Sequence, residues 1–322
     1  MERMWTYFLQ LGTHMWRDEY SEKTNRPTQC EGDGYYCPTL ETDKDVWRRV
    51  TDQLPSFGIN TLVIDVGEGL QYESHPELAV PGSWTRDELR AELARLRGMG
   101  IEPIPKLNFS TCHDVWLEPY NRMVSSQKYY EVVSDLIGEV CEVFDHPRFF
   151  HLGMDEEDFP DHHGALTTIR CDELWWHDLY YMFDRVEKGG ARPWVWSDYY
   201  WNHPDSFVRK MPKECVQSNW RYEKIQPKGK DGRYPQIGYQ TYLDLYKLGY
   251  DQIPCASDWC FRQNIAQTVW LFMEENLCDE HLLGFIAVPW LYTTDVNYYS
   301  LLDNAHRLHY ARRMFLEKYP EG

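Results

Sequence analysis

The sequence predicts an α/β fold: one (β/α)8 barrel of the TIM type, a single domain over residues 1–322. Three observations carry that expectation. Short apolar runs alternate with longer amphipathic ones along the chain. Eight of the short runs read as strands, each followed by helix or loop material. Strands that are apolar on both faces imply parallel pairing under a cover of helices.

Residues 7–12 form the first strand candidate and residues 61–66 (TLVIDV) the second. Thr85 and Glu88 then have the spacing of a capping box, in which each side chain satisfies a free backbone N–H at a helix start. Leu89, Leu93 and Leu96 follow at helical spacing, and Gly98 and Gly100 close that helix. Residues 101–107 are the third strand. Val132, Val133, Leu136, Ile137, Val140 and Val143 make a helix face ahead of the fourth, residues 149–153. Leu179, Met182, Phe183 and Val186 make another face, closed by Gly189 and Gly190. Residues 193–197, 215–219, 253–257 and 284–289 complete the strands, and the last helix carries Leu301, Leu302 and Leu308. Such a barrel uses about 250 residues. The excess sits in long loops after strands one and six, residues 13–42 and 221–236. No linker or repeat suggests a second domain.

Bulk properties narrow the partners. With 43% hydrophobic and 26% charged residues, the chain can bury a sizeable core. A formal net charge of -18 argues against nucleic acid and anionic membrane, which reward clustered Lys and Arg. No apolar run is long enough to span a bilayer. The first sixteen residues are too short and polar for a secretory signal and read better as a strand. The cysteines are odd in number, 9, and scattered; Cys141 and Cys215 sit in apolar surroundings that suit free thiols. A reducing, cytoplasmic setting is the expectation. Export after removal of a signal is the alternative, and Cys30 and Cys37 would then be able to pair. The oligomeric state is not legible.

Chemistry in such barrels happens at the carboxyl ends of the strands. The residues expected there are His14, Arg17, Asp65, Glu68, Asn108, His113, His151, Asp155, Glu156, Trp196, Asp198, Trp220, Asp258, Trp259, Trp290 and Tyr292. They form a ring of acids, His and Trp. Flat aromatic faces suit the C–H surfaces of sugar rings, and carboxylates suit hydroxyl groups. Trp47, Trp175, Trp176 and Trp270 lie in helical stretches and are expected to fill the core.

The most informative stretch is FFHLGMDEED, residues 149–158. Two adjacent acids at a buried strand tip are costly, because each loses hydration and disfavours ionisation of the other. The pattern suits a site where one acid holds a proton and its neighbour stays charged. Period two puts His151, Gly153 and Asp155 on one face. Glu156 joins them if the strand ends or bends there, and Gly153 leaves room for a close approach. The bland alternative is a strand end followed by a solvated acidic loop that includes Glu157 and Asp158.

His151-Leu-Gly-Met-Asp155-Glu156 resembles the His-x-Gly-x-Asp-Glu signature of family 20 glycoside hydrolases, the β-N-acetylhexosaminidases. Residues 75–78 (HPEL) resemble that family's Pro-Glu-Leu segment. Residues 100–105 (GIEPIP) resemble its third strand, with His113 where a His follows. The regions around Trp196, Trp220 and Trp290 resemble its later strands. The resemblance implies retaining, substrate-assisted cleavage of a terminal β-linked N-acetylhexosamine from an oligosaccharide or glycoconjugate, without metal or cofactor. It implies Glu156 as the general acid and base, which must hold a proton before donating it. It implies Asp155 as the residue that orients the 2-acetamido group, and His151 as support for the acids. His113, Trp196, Asp198, Trp220, Trp259, Trp290, Tyr292, Arg17 and Asp65 would contact the sugar.

There are departures. The family's His-x-His-x-x-Asp motif is replaced by residues 64–68 (IDVGE), and Arg17 comes several residues late for a strand-one arginine. These residues do not include the family's small β-domain ahead of the barrel. The tyrosine that holds the acetamido group could be Tyr199, Tyr239 or Tyr292. Three other readings stay open. A different barrel glycosidase would pair Glu156 with Asp65, Glu68 or Asp258. A metal hydrolase would draw on His14, His113, His151, Asp155, His162 and His163. A degenerate barrel would bind glycans without cleaving them.

Overall fold

The computed structural model describes residues 2–16, 37–158 and 169–320. Its eight strands are β1 (Met4–Gln10), β2 (Thr61–Asp65), β3 (Glu102–Lys106), β4 (Phe149–His151), β5 (Arg192–Trp196), β6 (Val216–Ser218), β7 (Cys255–Ala256) and β8 (Gly284–Ala287). Every ladder is parallel, in the order β6-β5-β4-β3-β2-β1-β8-β7. Bridges Gln217–Gln252 and Trp220–Cys255 join β6 to β7 and close the cylinder. The (β/α)8 expectation holds; most strands lie one or two residues inside the bounds read from the sequence, whereas β1 starts three residues earlier, at Met4, and β5 one earlier, at Arg192.

The helices are α1 (Lys44–Thr51), α2 (Arg86–Gly98), α3 (Gln127–Val143), α4 (Glu173–Lys188), the short pair α5 (Tyr199–Asn202) and α6 (Pro204–Lys210), α7 (Ile237–Lys247), α8 (Asn264–Glu274) and α9 (Tyr298–Lys318). The capping box at Thr85 and Glu88 is formed, and Leu89, Leu93 and Leu96 are buried beneath it. Trp47, Trp175 and Trp176 are buried as expected. Trp270 is not: it is 46% exposed. α8 buries Ile265, Thr268, Val269 and Phe272, which leaves residue 270 on the outer stripe.

Inside the cylinder the side chains form tiers. Met4, Phe8, Val63, Ile104, Phe149, Trp194, Val216, Cys255 and Ile286 make an apolar inner core. Above it the register runs Gln10–Asp65, Asp65–Lys106 and Lys106–His151, so four polar side chains stand side by side at the strand ends. All four are buried. A buried charge needs a partner, and Lys106 Nζ lies 2.5 Å from Asp65 Oδ2. This polar tier is the floor of the mouth.

Candidate active site

β4 ends at His151, before either acid. Three of the next five residues take left-handed backbone: Gly153 at φ 72°, Met154 at φ 69° and Glu156 at φ 55°. The period-two alternation is therefore lost, and both carboxylates turn the same way. For Met154 and Glu156 that conformation costs about 1–2 kcal/mol each, so the surroundings must fix it. They do. Phe109 N–H donates to Leu152 O at 3.1 Å and Trp196 N–H to Gly153 O at 3.0 Å, pinning the segment between its neighbours. Ser110 Oγ donates to the Asp155 carbonyl. Asn108 Oδ1 would lie 2.0 Å from a Cβ at Gly153, so only glycine admits it.

The acids meet at one imidazole. His113 Nε2 is 3.0 Å from Glu156 Oε2 and 3.4 Å from Asp155 Oδ2. Asn108 Nδ2 donates to Asp155 Oδ1 at 2.9 Å. Glu156 N–H donates to Asp198 Oδ2 at 2.8 Å, and Trp220 Nε1–H donates to Asp198 Oδ1 at 3.1 Å. Asp155 is buried, whereas the Glu156 side chain is 36% exposed.

Burial alone would push the Asp155 carboxyl up, but His113, Lys106 and Asn108 hold it down to about 2. Burial likewise works against a charged His113 ring, yet the two acids outweigh it and lift the ring to about 10. Asp155 is thus an anion facing an imidazolium. The clear upward push falls on Asp198, raised by burial and then by Asp155. Neighbouring acids driven apart in this way mark sites of acid–base chemistry.

The remaining expectations divide. Trp196, Trp290, Tyr222 and Trp220 form a continuous wall, with ring centroids 6.1, 6.4 and 5.3 Å apart in turn. His151 lies beneath the acids rather than in the pocket wall. It is fully buried, and its Nδ1 accepts the Gly153 N–H at 3.0 Å. Burial and then Lys106 hold its ring below the usual imidazole range, so its support is to the backbone of the acid loop. Asp65 is likewise no sugar contact, being 3% exposed and paired with Lys106. Trp259 stands on the rim, 58% exposed. Tyr292 is buried, its carbonyl accepting from Asn297. Tyr199 stacks on Trp175 at 3.7 Å, and the Tyr239 hydroxyl donates to Arg221 O at 3.2 Å, away from the acids. Arg17, Cys30, His162 and His163 lie outside the described residues.

Sequence reasoning missed Lys106, Tyr222, Glu157 and Arg170. Lys106 was findable: it sits at an inward position of β3 by simple alternation. Glu157 is not solvated but buried, with Thr111 N–H donating to it at 3.2 Å and Arg170 bonded to it.

No family model matches the sequence, and no curated protein matches it. Solved structures do match in fold. A chitobiase of Flavobacterium johnsoniae superposes with a TM-score of 0.61 at 19% identity, over 86% of this chain and 48% of that one. An exo-β-N-acetylglucosaminidase of glycoside hydrolase family 20 from Vibrio harveyi, in complex with N-acetylglucosamine, gives 0.62 at 12%, over 98% and 57%. A family 20 β-N-acetylhexosaminidase of Streptomyces coelicolor gives 0.60 at 12%, over 95% and 64%. The barrel is built like those of family 20. This chain spans about half the length of the first two relatives.

Of the alternative second carboxylates, Asp65 and Asp258 face cations, and Glu68 is held through one oxygen. Glu68 accepts the backbone N–H groups of Thr13 at 2.6 Å and His14 at 3.1 Å. Asp258 accepts from Asn304 at 2.5 Å and faces Arg307 at 3.4 Å. His14 is bonded to Cys37 O at 2.7 Å. Among the described residues, Cys112, His113 and Glu156 bring possible metal-ligand atoms within 4.8 Å of one another.

Proposed function

We propose that this chain is a glycoside hydrolase that cleaves terminal β-linked N-acetylhexosamine with retention, the substrate's own acetamido oxygen attacking the anomeric carbon. The observation that carries the reading is the convergence of Asp155 and Glu156 on His113 at the barrel mouth, Asp155 held as an anion. Glu156, the more exposed acid, protonates the leaving oxygen. The carboxylate it becomes meets the His113 imidazolium 3.0 Å away. Asp155 orients the acetamido N–H and opposes the positive charge that spreads over that group as the ring closes. Glu156 then takes a proton from the water that opens the intermediate. Trp220 and Trp290, half-buried at the mouth, offer the apolar faces on which a pyranose stacks, with Trp196 and Tyr222 packed behind them. The fold likeness to family 20 enzymes supports the same reading.

One observation favours a second reading, a barrel glycosidase for another sugar. The Tyr239 hydroxyl donates to the Arg221 and Glu223 carbonyls rather than toward the acids, which removes one of the three tyrosines that could grip the acetamido group. Hydrolysis of matched aryl β-glycosides with 2-acetamido and 2-hydroxy groups separates the two. The first reading expects turnover of the 2-acetamido compound with release of the β-anomer. Preference for the 2-hydroxy compound supports the second.

A further inference from the structure

We propose that Arg170 is a positioning residue for the acid pair: its guanidinium locks the loop carrying His113 to the loop carrying Asp155 and Glu156. Arg170 is buried and bonds three separate parts of the barrel. Nη2 donates to Phe109 O at 2.7 Å, on the loop after β3 and four residues before His113. Nη2 and Nε both reach the Glu157 carboxylate, on the residue after Glu156. Nη1 faces Asp178 Oδ2 at 3.4 Å, on α4.

Each partner is tied in turn. Glu157 accepts from Thr111 N and Thr111 Oγ1, both at 3.2 Å, so it also grips the β3 loop. Asp178 accepts from Ser125 Oγ at 2.6 Å and from the Tyr130 hydroxyl at 2.5 Å, anchoring the clamp to α3. The short contact between His113 and Glu156 therefore spans two loops whose relative position is set one layer behind the acids. A planar, five-donor fork suits that task, and a single ammonium cannot reproduce its geometry. Positive φ at Met154 and Glu156 means the acid loop would relax if released.

The proposal rests on the assignment of Glu156 and Asp155 as the reacting acids, so its test carries a readout independent of turnover. Arg170→Lys keeps the charge and loses the fork. Its folding is checked by circular dichroism, its kinetics on the 2-acetamido aryl glycoside, and its His113 ring by NMR titration. His113 faces Asp155, Glu156 and the buried Asp114, so its titration reports the loop spacing. The expected result is a folded protein with kcat at least tenfold lower, KM within threefold, and the His113 midpoint displaced toward the ordinary imidazole value. Wild-type kcat and an unmoved His113 midpoint in folded Arg170→Lys would overturn the clamp. If Arg170→Lys does not fold, Thr111→Val removes one donor to Glu157, and the same two readouts must move in the same direction by a smaller amount. A wild-type chain without glycosidase activity whose His113 midpoint still responds to Arg170→Lys defeats the functional reading and leaves the clamp standing.

Discussion

The backbone N–H of Glu156 donates to the side chain of Asp198, N to Oδ2 2.8 Å. That one bond ties the acid loop after β4 to the end of β5, and it holds Glu156 in a conformation that non-glycine residues avoid.

Asp198→Ala frees both that N–H and the Trp220 indole. Displacing a reacting group by about 1 Å costs about a hundredfold in rate, and a loss of that order in kcat is expected with the fold retained. Asp198→Asn keeps one acceptor oxygen and should lose less. Steady-state kinetics on the 2-acetamido aryl glycoside compare the two, and an Asp198→Ala variant as fast as wild type would contradict the linkage.

Gly153 is the tightest point of the loop. An added Cβ meets Asn108 Oδ1 at 2.0 Å on a backbone with φ 72°. Gly153→Ala is expected to destabilise by about 2–5 kcal/mol, from conformational cost and overpacking together. Urea unfolding measures it. A change within about 0.5 kcal/mol, the ordinary range for surface positions, would mean the loop sits elsewhere.

His113 gains two acids on folding, which lifts its ring to about 10 from an unfolded value near 6.5. Its stabilising contribution is complete below about pH 6.5 and is lost as pH rises through about 10. Asp155 behaves oppositely: its contribution is complete above about pH 3.9 and is lost as pH falls toward 2. Unfolding free energies measured from about pH 6 to 9.5 should fall for the wild type and fall less for His113→Gln. Equal slopes in the two proteins would show that the His113 ring is not paired as described.

Much of this architecture was legible in the sequence because its punctuation is local. The capping box at Thr85 and Glu88, the Gly residues that close α2 and α4, and the apolar runs of β2 and β4 are each decided within a few residues. The pairing of Asp155 with Glu156 was legible as a pattern, but the reason they converge was not. It depends on Asn108 pressing against Gly153 from the loop after β3, a contact 45 positions away in the chain. Glu157 looked like part of a solvated acidic run because its partner, Arg170, lies 13 positions further along the chain. Asp65 looked like a mouth residue because it ends a strand; only the register with Lys106 shows it to be half of a buried pair.

That pair makes its own prediction. Lys106→Met leaves Asp65 buried without a partner, and removal of one member of a buried pair costs about 3–5 kcal/mol. Lys106→Met combined with Asp65→Leu should recover most of the loss, because an apolar replacement of the whole pair is often neutral. Urea unfolding of the two single variants and the double variant tests this. Strictly additive losses would show that the two charges do not stabilise each other.

In the proposed reaction Glu156 moves the proton. The rate of Glu156→Gln on a β-linked N-acetylhexosamine disaccharide, whose leaving group needs protonation, tests it most directly. General acid–base catalysis contributes about 10²–10⁴-fold, so kcat should fall by that factor while the far-ultraviolet circular dichroism stays that of the wild type. A folded Glu156→Gln protein that cleaves the disaccharide at the wild-type rate would contradict the assignment.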